Sequence, residues 1–347
     1  MAVQNWVNAV DFHLSEKTFA MYTGVRQHTA YNYPSNHSGG AKMDYSKLIT
    51  ESRNADSMNL GSLTALEAAT LMNRMDTEIP AAVEKALPEI AAVIEKIVEA
   101  YRQGGRLVYC GAGTSGRLGV LDASECLPTF GAGADMVTAI IAGGPAALHT
   151  AVEGAEDDAG QGIRDLQEIG FTPKDVLVAL SASGSAAYCA GALRYARGLG
   201  AFTAGVSCVP SPAFADLCGQ LITVVIGPEI LTGSTRLRAG TATKMVLNML
   251  TTVSMVQYGK VYQNLMVDMI PTNKKLEDRA VRIIMMATAT DRNNAAEMLQ
   301  RCGNNVKTAI VCLQSGSDPE AAKKALKDSS GFVGKAIEKI RTGRDES

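Results

Sequence analysis

Five short apolar runs along the middle of the chain restrict its fold more than any other feature. They are Leu107–Cys110, Met136–Ile141, Val176–Leu180, Thr203–Ser207 and Leu221–Ile226. Each is nearly continuous in apolar residues rather than alternating, the pattern of strands covered on both faces. Helix-length stretches separate the first four, and such units make right-handed crossovers in a parallel sheet. The expected fold class is therefore α/β: a doubly wound, parallel, five-stranded sheet. Sheets of this kind take their ligands at the carboxyl ends of the strands.

The flanking segments read as helices. Thr64 and Glu67 have the spacing of a capping box ahead of Leu66, Leu71 and Met72. A longer helix is expected from Pro88 to Gln103, with Val93, Ile94, Ile97, Val98 and Tyr101 on one face. Gly104-Gly105 would stop it. After Pro271 the pattern is helical throughout, with breaks at Asp291, Gly303, Ser317-Asp318 and Ser329. These helices look too short for a core of their own and should pack on the sheet domain.

Residues 1–42 differ in character. They hold the only Trp and three of the four His, and they run into Asn36-His37-Ser38-Gly39-Gly40, a linker-like stretch. A tail that adds little to the core is expected, with a docking arm as the alternative. The expected division is a tail at 1–42, a sheet domain with its leading helices at 43–275, and a small helical domain at 276–347.

The 347 residues carry a formal charge of −2 and no Lys/Arg cluster. That disfavours a nucleic-acid or anionic-membrane surface. Seven cysteines, an odd number with no C-x-x-C pair, sit mostly in apolar stretches. This suits reduced thiols in a cytoplasm better than a disulfide framework. No apolar run is long enough to cross a membrane, and Asp11 and Glu16 interrupt any signal-like core. A soluble, cytoplasmic protein is expected.

Chemistry concentrates where the strands end. The first run leads into Gly111-Ala112-Gly113-Thr114-Ser115-Gly116-Arg117 and then a helix. The helix-start N–H groups and the Thr114 and Ser115 hydroxyls can cradle an anion. The turn lacks the Gly-Lys-Ser/Thr of a P-loop, and no acidic residue stands where ribose recognition needs one. Plain tight-turn geometry would account for this motif alone. The third run, however, leads into Ser181-Ala182-Ser183-Gly184-Ser185, and Gly233-Ser234-Thr235 follows the fifth. Three hydroxyl-rich turns on one sheet edge favour capture of a phosphate.

Glu125 lies among apolar neighbours in Asp122–Cys126, on the helix after the first turn. Glu153 and Glu156 have i,i+3 spacing, which would put both on one side of a helix. Taken alone, each is more readily a solvated charge than a catalyst. His149 is the only His beyond the tail, so a His-based triad or a metal site is not expected.

These blocks together resemble the N-acetylmuramic acid 6-phosphate etherases. The likeness is carried by Gly111–Asp122 through Glu125, Ile141–Gly144, Ala151–Asp157, Gly227–Ile230, Thr232–Thr235, Ala239–Ala242, Lys244, Leu247–Leu250 and Asn264–Asp268. It runs from Met43 to Ile340. The resemblance implies one phosphosugar-binding domain of the sugar-isomerase (SIS) type and a small helical C-terminal domain. It also implies a phosphorylated amino sugar as substrate and a homodimer with its site at the subunit interface. Cleavage of the lactyl ether to N-acetylglucosamine 6-phosphate and D-lactate would need no cofactor and no metal. The family's general acid falls on Glu125 and its second catalytic glutamate on Glu156, while Glu153 is ranked as structural. Substrate binding falls on Gly113, Thr114, Ser115, Ser181, Ser183, Gly184, Ser234 and Thr235.

The chain departs from the family where Ser185-Ala186-Ala187 replaces Arg-Thr-Pro, and at Leu127, Arg238 and Gln263. Two rival readings share the fold: an aldose–ketose isomerase, and a non-catalytic regulator like the glucokinase regulatory protein. The latter carries two tandem domains, and no second Gly-Thr-Ser-Gly-Arg turn occurs here.

Overall fold

The structure, a computed structural model, describes residues 48–271 and 273–345. The expected tail, residues 1–42, lies outside the described residues. Helix α1 (Ala65–Asp76) begins on the predicted capping box. The Glu67 N–H donates to Thr64 Oγ1 (3.4 Å), and the Glu67 carboxylate accepts from the Thr64 N–H (2.8 Å). After α2 (Ile79–Glu84), α3 (Leu87–Arg102) buries Val93, Ile94, Ile97, Val98 and Tyr101, the predicted face.

The five strands are β1 (Leu107–Gly111), β2 (Val137–Ile141), β3 (Val176–Leu180), β4 (Phe202–Ser207) and β5 (Gln220–Thr223). Strand β5 stops short of the expected Ile226 because β4, its neighbour, ends at Ser207. Helices α4 (Gly113–Phe130), α5 (Ala159–Glu168) and α6 (Ala187–Gly198) connect the first four strands, and α7 (Arg238–Gln257) follows the fifth. Every pairing is parallel, in the order β2-β1-β3-β4-β5.

Alternation along the strands divides the core. Leu107, Tyr109, Val176, Val178 and Leu180 face α3, α4 and α7, while Val108, Cys110, Leu177 and Ala179 face α5 and α6. Since β1 hands on to β2 in one direction and β3 to β4 in the other, the winding reverses between β1 and β3. A crevice opens at such a reversal, outside the carboxyl ends of the two strands.

The amino ends of β1 and β3 are tied by a buried ion pair. Asp175, 2% exposed, accepts from the Arg106 backbone N–H (2.8 Å), from Arg106 Nη2 (2.9 Å) and from the Thr172 N–H (2.9 Å).

The C-terminal helices are α8 (Lys274–Thr288), α9 (Arg292–Arg301), α10 (Val306–Ser315), α11 (Pro319–Asp328) and α12 (Val333–Asp345). The anticipated breaks at Asp291 and Asp318 are the N-caps of α9 and α11. The expectation that these helices lack a core of their own is corrected. Ile283, Ile284, Leu299, Ile310 and Val311 belong to a separate buried apolar cluster. Short amphipathic helices achieve this because each contributes one stripe to a shared centre. Among the described residues no helix is long and apolar enough to cross a membrane.

Replacing Asp175 by Ala should cost about 3–5 kcal/mol of stability, because it strands the Arg106 charge and several N–H donors. Urea unfolding checks the loss. Ligand affinity should hold, since the change lies at the opposite end of the strands from the crevice.

Candidate active site

The β1–α4 turn forms as its glycines dictate. Ala112 is extended, Gly113 turns at φ +53°, and α4 begins at once. A Cβ on Gly116 would lie 2.6 Å from the Gly111 carbonyl oxygen, so only glycine lets the helix start this close to the strand. The N–H groups of Gly113, Thr114 and Ser115 precede the first intrahelical bond, from Gly116 to Ala112. Thr114 and Ser115 are half-buried there.

The β3–α6 turn stands on the neighbouring strand. Ser181 Oγ accepts from the Gly184 N–H (3.1 Å), which closes the turn. Ser183 Oγ and Ser185 Oγ lie 2.7 Å apart and share a hydrogen bond. Gly184 has φ +69°, and an added Cβ would sit 2.1 Å from the Pro212 side chain. At this turn the chain therefore presents a hydroxyl pair.

Ser234 and Thr235 are half-buried ahead of α7. The start of α7 lies against the first turn: a Cβ on Gly240 would meet Thr114 Cγ2 and the Thr235 carbonyl, each at 3.6 Å. The amino ends of α4, α6 and α7 thus share the carboxyl edge of the sheet, and their dipoles favour an anion there.

The two candidate glutamates are placed differently. The helix expected to carry Glu153 and Glu156 does not form. Gly154 turns at φ +72°, Glu156 sits in a single 3-10 turn (Ala155–Asp157), and α5 starts after Asp158, which caps it. Gly154 and the capping Asp158 override the i,i+3 spacing. This loop leaves the carboxyl end of β2 and is held to α4 by Arg117, whose Nε donates to the Leu148 carbonyl (3.3 Å). Glu156 is exposed on it.

Glu125 is exposed too, contrary to the apolar surround its sequence neighbours suggested. It follows Gly113 by twelve positions on α4, roughly 18 Å along the helix axis. Leu121 and Leu127, 46% and 50% exposed, flank it. The chain therefore gathers the three hydroxyl turns and the Glu156 loop at one edge, and leaves Glu125 well away from the first turn.

One cluster beside α4 had no assigned role at the level of sequence. Lys244 Nζ donates to Asp122 Oδ1 (3.0 Å) and to Asn248 Oδ1 (2.6 Å), and the Tyr109 hydroxyl donates to Asp122 Oδ2 (3.2 Å). Burial holds the Tyr109 phenol far above its ordinary range, with the Asp122 charge adding to the effect. Burial also pushes the Cys126 thiol up to about 12, so it is no thiolate nucleophile at neutral pH. Among the described residues no three His, Cys, Asp or Glu side chains cluster as metal ligands would.

Comparison with known proteins gives the lineage. The etherase named N-acetylmuramic acid 6-phosphate etherase 2 of Vibrio cholerae is 53% identical over 293 residues, 84% of this chain and 95% of that protein. The N-acetylmuramic acid 6-phosphate etherase of Actinobacillus pleuropneumoniae serotype 7 is 52% identical over 84% of this chain and 96% of its own length. This chain belongs to the N-acetylmuramic acid 6-phosphate etherase family. The glucokinase regulatory protein N-terminal SIS domain matches residues 89–197, from within α3 into α6. A phosphoheptose isomerase structure from Francisella tularensis aligns at a TM-score of 0.43 and 18% identity, over 54% of this chain and 98% of that one. At that score it adds nothing to the assignment.

In this chain Gly184→Ala should lower stability by about 1–3 kcal/mol, from the close approach to Pro212 and the left-handed backbone together. Thermal melts read the loss. An unchanged Tm would mean that the β3–α6 turn can relax away from Pro212.

Proposed function

We propose that this chain cleaves the D-lactyl ether of N-acetylmuramic acid 6-phosphate, giving N-acetylglucosamine 6-phosphate and D-lactate. Identity above 50% to etherases across 84% of the chain carries this reading. The three hydroxyl turns at the β1–β3 reversal support it, since they suit the sugar's phosphate. The regulator reading draws on residues 89–197 alone.

The reaction is an elimination followed by hydration, which makes the enzyme a carbon–oxygen lyase. In the open-chain sugar the C2 proton is acidic because the C1 aldehyde accepts the developing charge. A glutamate carboxylate, assigned to Glu156, removes that proton as the C3–O bond breaks. A glutamic acid, assigned to Glu125, protonates the departing lactate oxygen. Water then adds at C3 of the C2=C3 intermediate and C2 regains a proton, so the sum is substrate plus one water. Each proton transfer is worth about 10²–10⁴ in rate. The two carboxyl groups must hold opposite protonation states at the start. The phosphate, remote from C2 and C3, supplies binding energy that positions them.

Two label experiments test this scheme. Product formed in heavy water should carry deuterium at C2, and product formed in ¹⁸O-water should carry the label at C3. Label on lactate instead would mean hydrolysis at the lactyl carbon and would end the elimination reading.

Glu125 acts in trans on this reading. A hexose is far shorter than the stretch of α4 between the first turn and Glu125, so the same chain's Glu125 is out of reach. Leu121 and Leu127 around it, with Val253 and Val256 exposed on the adjoining α7, offer an apolar face for a second copy. A homodimer with two shared sites follows. Glu125→Gln and Glu156→Gln should each be nearly inactive. Equal mixing with subunit exchange should restore about a quarter of wild-type activity, since half the dimers are hybrids with one intact site of two. No recovery in confirmed hybrids would return both glutamates to one chain.

A further inference from the structure

Glu229 is 1% exposed, and a carboxylate that deeply buried is tolerated only when hydrogen-bonded. Its partners are the first two N–H groups of α7: Arg238 N donates to Oε2 (3.0 Å) and Ala239 N to Oε1 (2.8 Å). Leu237, in the N-cap position, makes no side-chain cap. A residue nine positions before its start therefore caps this 20-residue helix.

The return connection comes from Arg238, itself 3% exposed. Its Nη1 donates to the Pro228 carbonyl (3.2 Å), and its Nη2 to the Met75 carbonyl (3.1 Å) and Glu78 Oε2 (2.6 Å). The loop between Pro228 and Ala239 is thus tied twice at its base, carboxylate to backbone and guanidinium to backbone. Its body is anchored by Ser57 Oγ donating to the Ile230 carbonyl (2.7 Å) and by the Gly233 N–H on Thr50 O (3.1 Å). Ser234 and Thr235 sit on that loop, and just beyond the tie Gly240 abuts Thr114 of the first turn. The Glu229 carboxylate also fills the positive end of α7, which leaves α4 and α6 to attract an outside anion.

We propose that Glu229 is a positioning residue for the etherase reaction. Its clamp on the start of α7 sets Ser234 and Thr235 against the first turn, and so governs affinity for the phosphorylated end of the substrate. The proposal rests on the phosphate reading of those turns.

The test is steady-state D-lactate release by the full chain from N-acetylmuramic acid 6-phosphate, with a Tm for every variant. Glu229→Gln keeps the size but turns an amide N–H₂ toward one of the two N–H donors. It should raise KM about tenfold with kcat within about twofold of wild type, the signature of lost uniform binding. Glu229→Asp keeps the charge and should recover part of that KM, and it serves if the Gln variant folds poorly. Ser234→Ala should raise KM as well. The double variant should be no worse than the larger single, because a misplaced hydroxyl and a missing one cost the same thing.

A lowered Tm with unchanged KM in Glu229→Gln, while Ser234→Ala does raise KM, would make Glu229 an ordinary helix cap and overturn the proposal. Multiplicative KM effects in the double variant would overturn it too. Unchanged KM in Ser234→Ala would instead defeat the phosphate reading of that loop, and the clamp with it.

Discussion

The pairing of β1 with β3 is the constraint on which the rest of the molecule depends. These strands are separated in sequence by α4, β2 and α5, yet they lie in register from Leu107 opposite Val176 to Gly111 opposite Leu180. The crossovers on either side leave on opposite faces, so a crevice is left at the carboxyl ends where the two windings part. At the amino ends the Arg106–Asp175 pair fixes the stagger. With the stagger fixed, the Gly113–Gly116 and Ser181–Ser185 turns must stand side by side.

The edge so formed suits an anion without massed cations. Hydroxyls, backbone N–H groups and the amino ends of α4 and α6 supply the field, since Glu229 already fills that of α7, and such dipoles are held in place by the fold. The buried charges nearby are internally neutralised. Asp122 is matched by Lys244 and Tyr109, and Glu229 by the α7 backbone next to Arg238. Each of these carboxylates ties two elements together, so electrostatics here serves geometry first.

The helical C-terminal portion meets the sheet region through a comparable junction. Lys307, 8% exposed, donates to Asp268 (2.7 Å), which also pairs with Lys260 at 3.3 Å. Gly131, at the end of α4, lies so close to the Asp268 carbonyl that a Cβ would come within 2.5 Å of it. The far end of α4, the helix that carries Glu125, is thereby braced against the segment leading to the last five helices.

The sequence by itself determined the five strands, several helix limits and the turns. These depend on local properties: continuous apolar runs, the Thr64–Glu67 box, the capping aspartates Asp291 and Asp318, and glycines where φ must be positive. The blocks around Glu125 and Glu156 were equally legible as a family resemblance. The tertiary structure decided what lies beside what. Strand order cannot be read from periodicity, because a strand buried on both faces carries no mark of its neighbours. The i,i+3 spacing of Glu153 and Glu156 promised a helix that Gly154 and Asp158 prevent. Glu125 was placed only on the helix after the first turn, and a rise of about 1.5 Å per residue carries it far along α4. The apolar cluster of the last five helices and the clamp at Glu229 were likewise invisible, since both join residues that only the completed fold brings together.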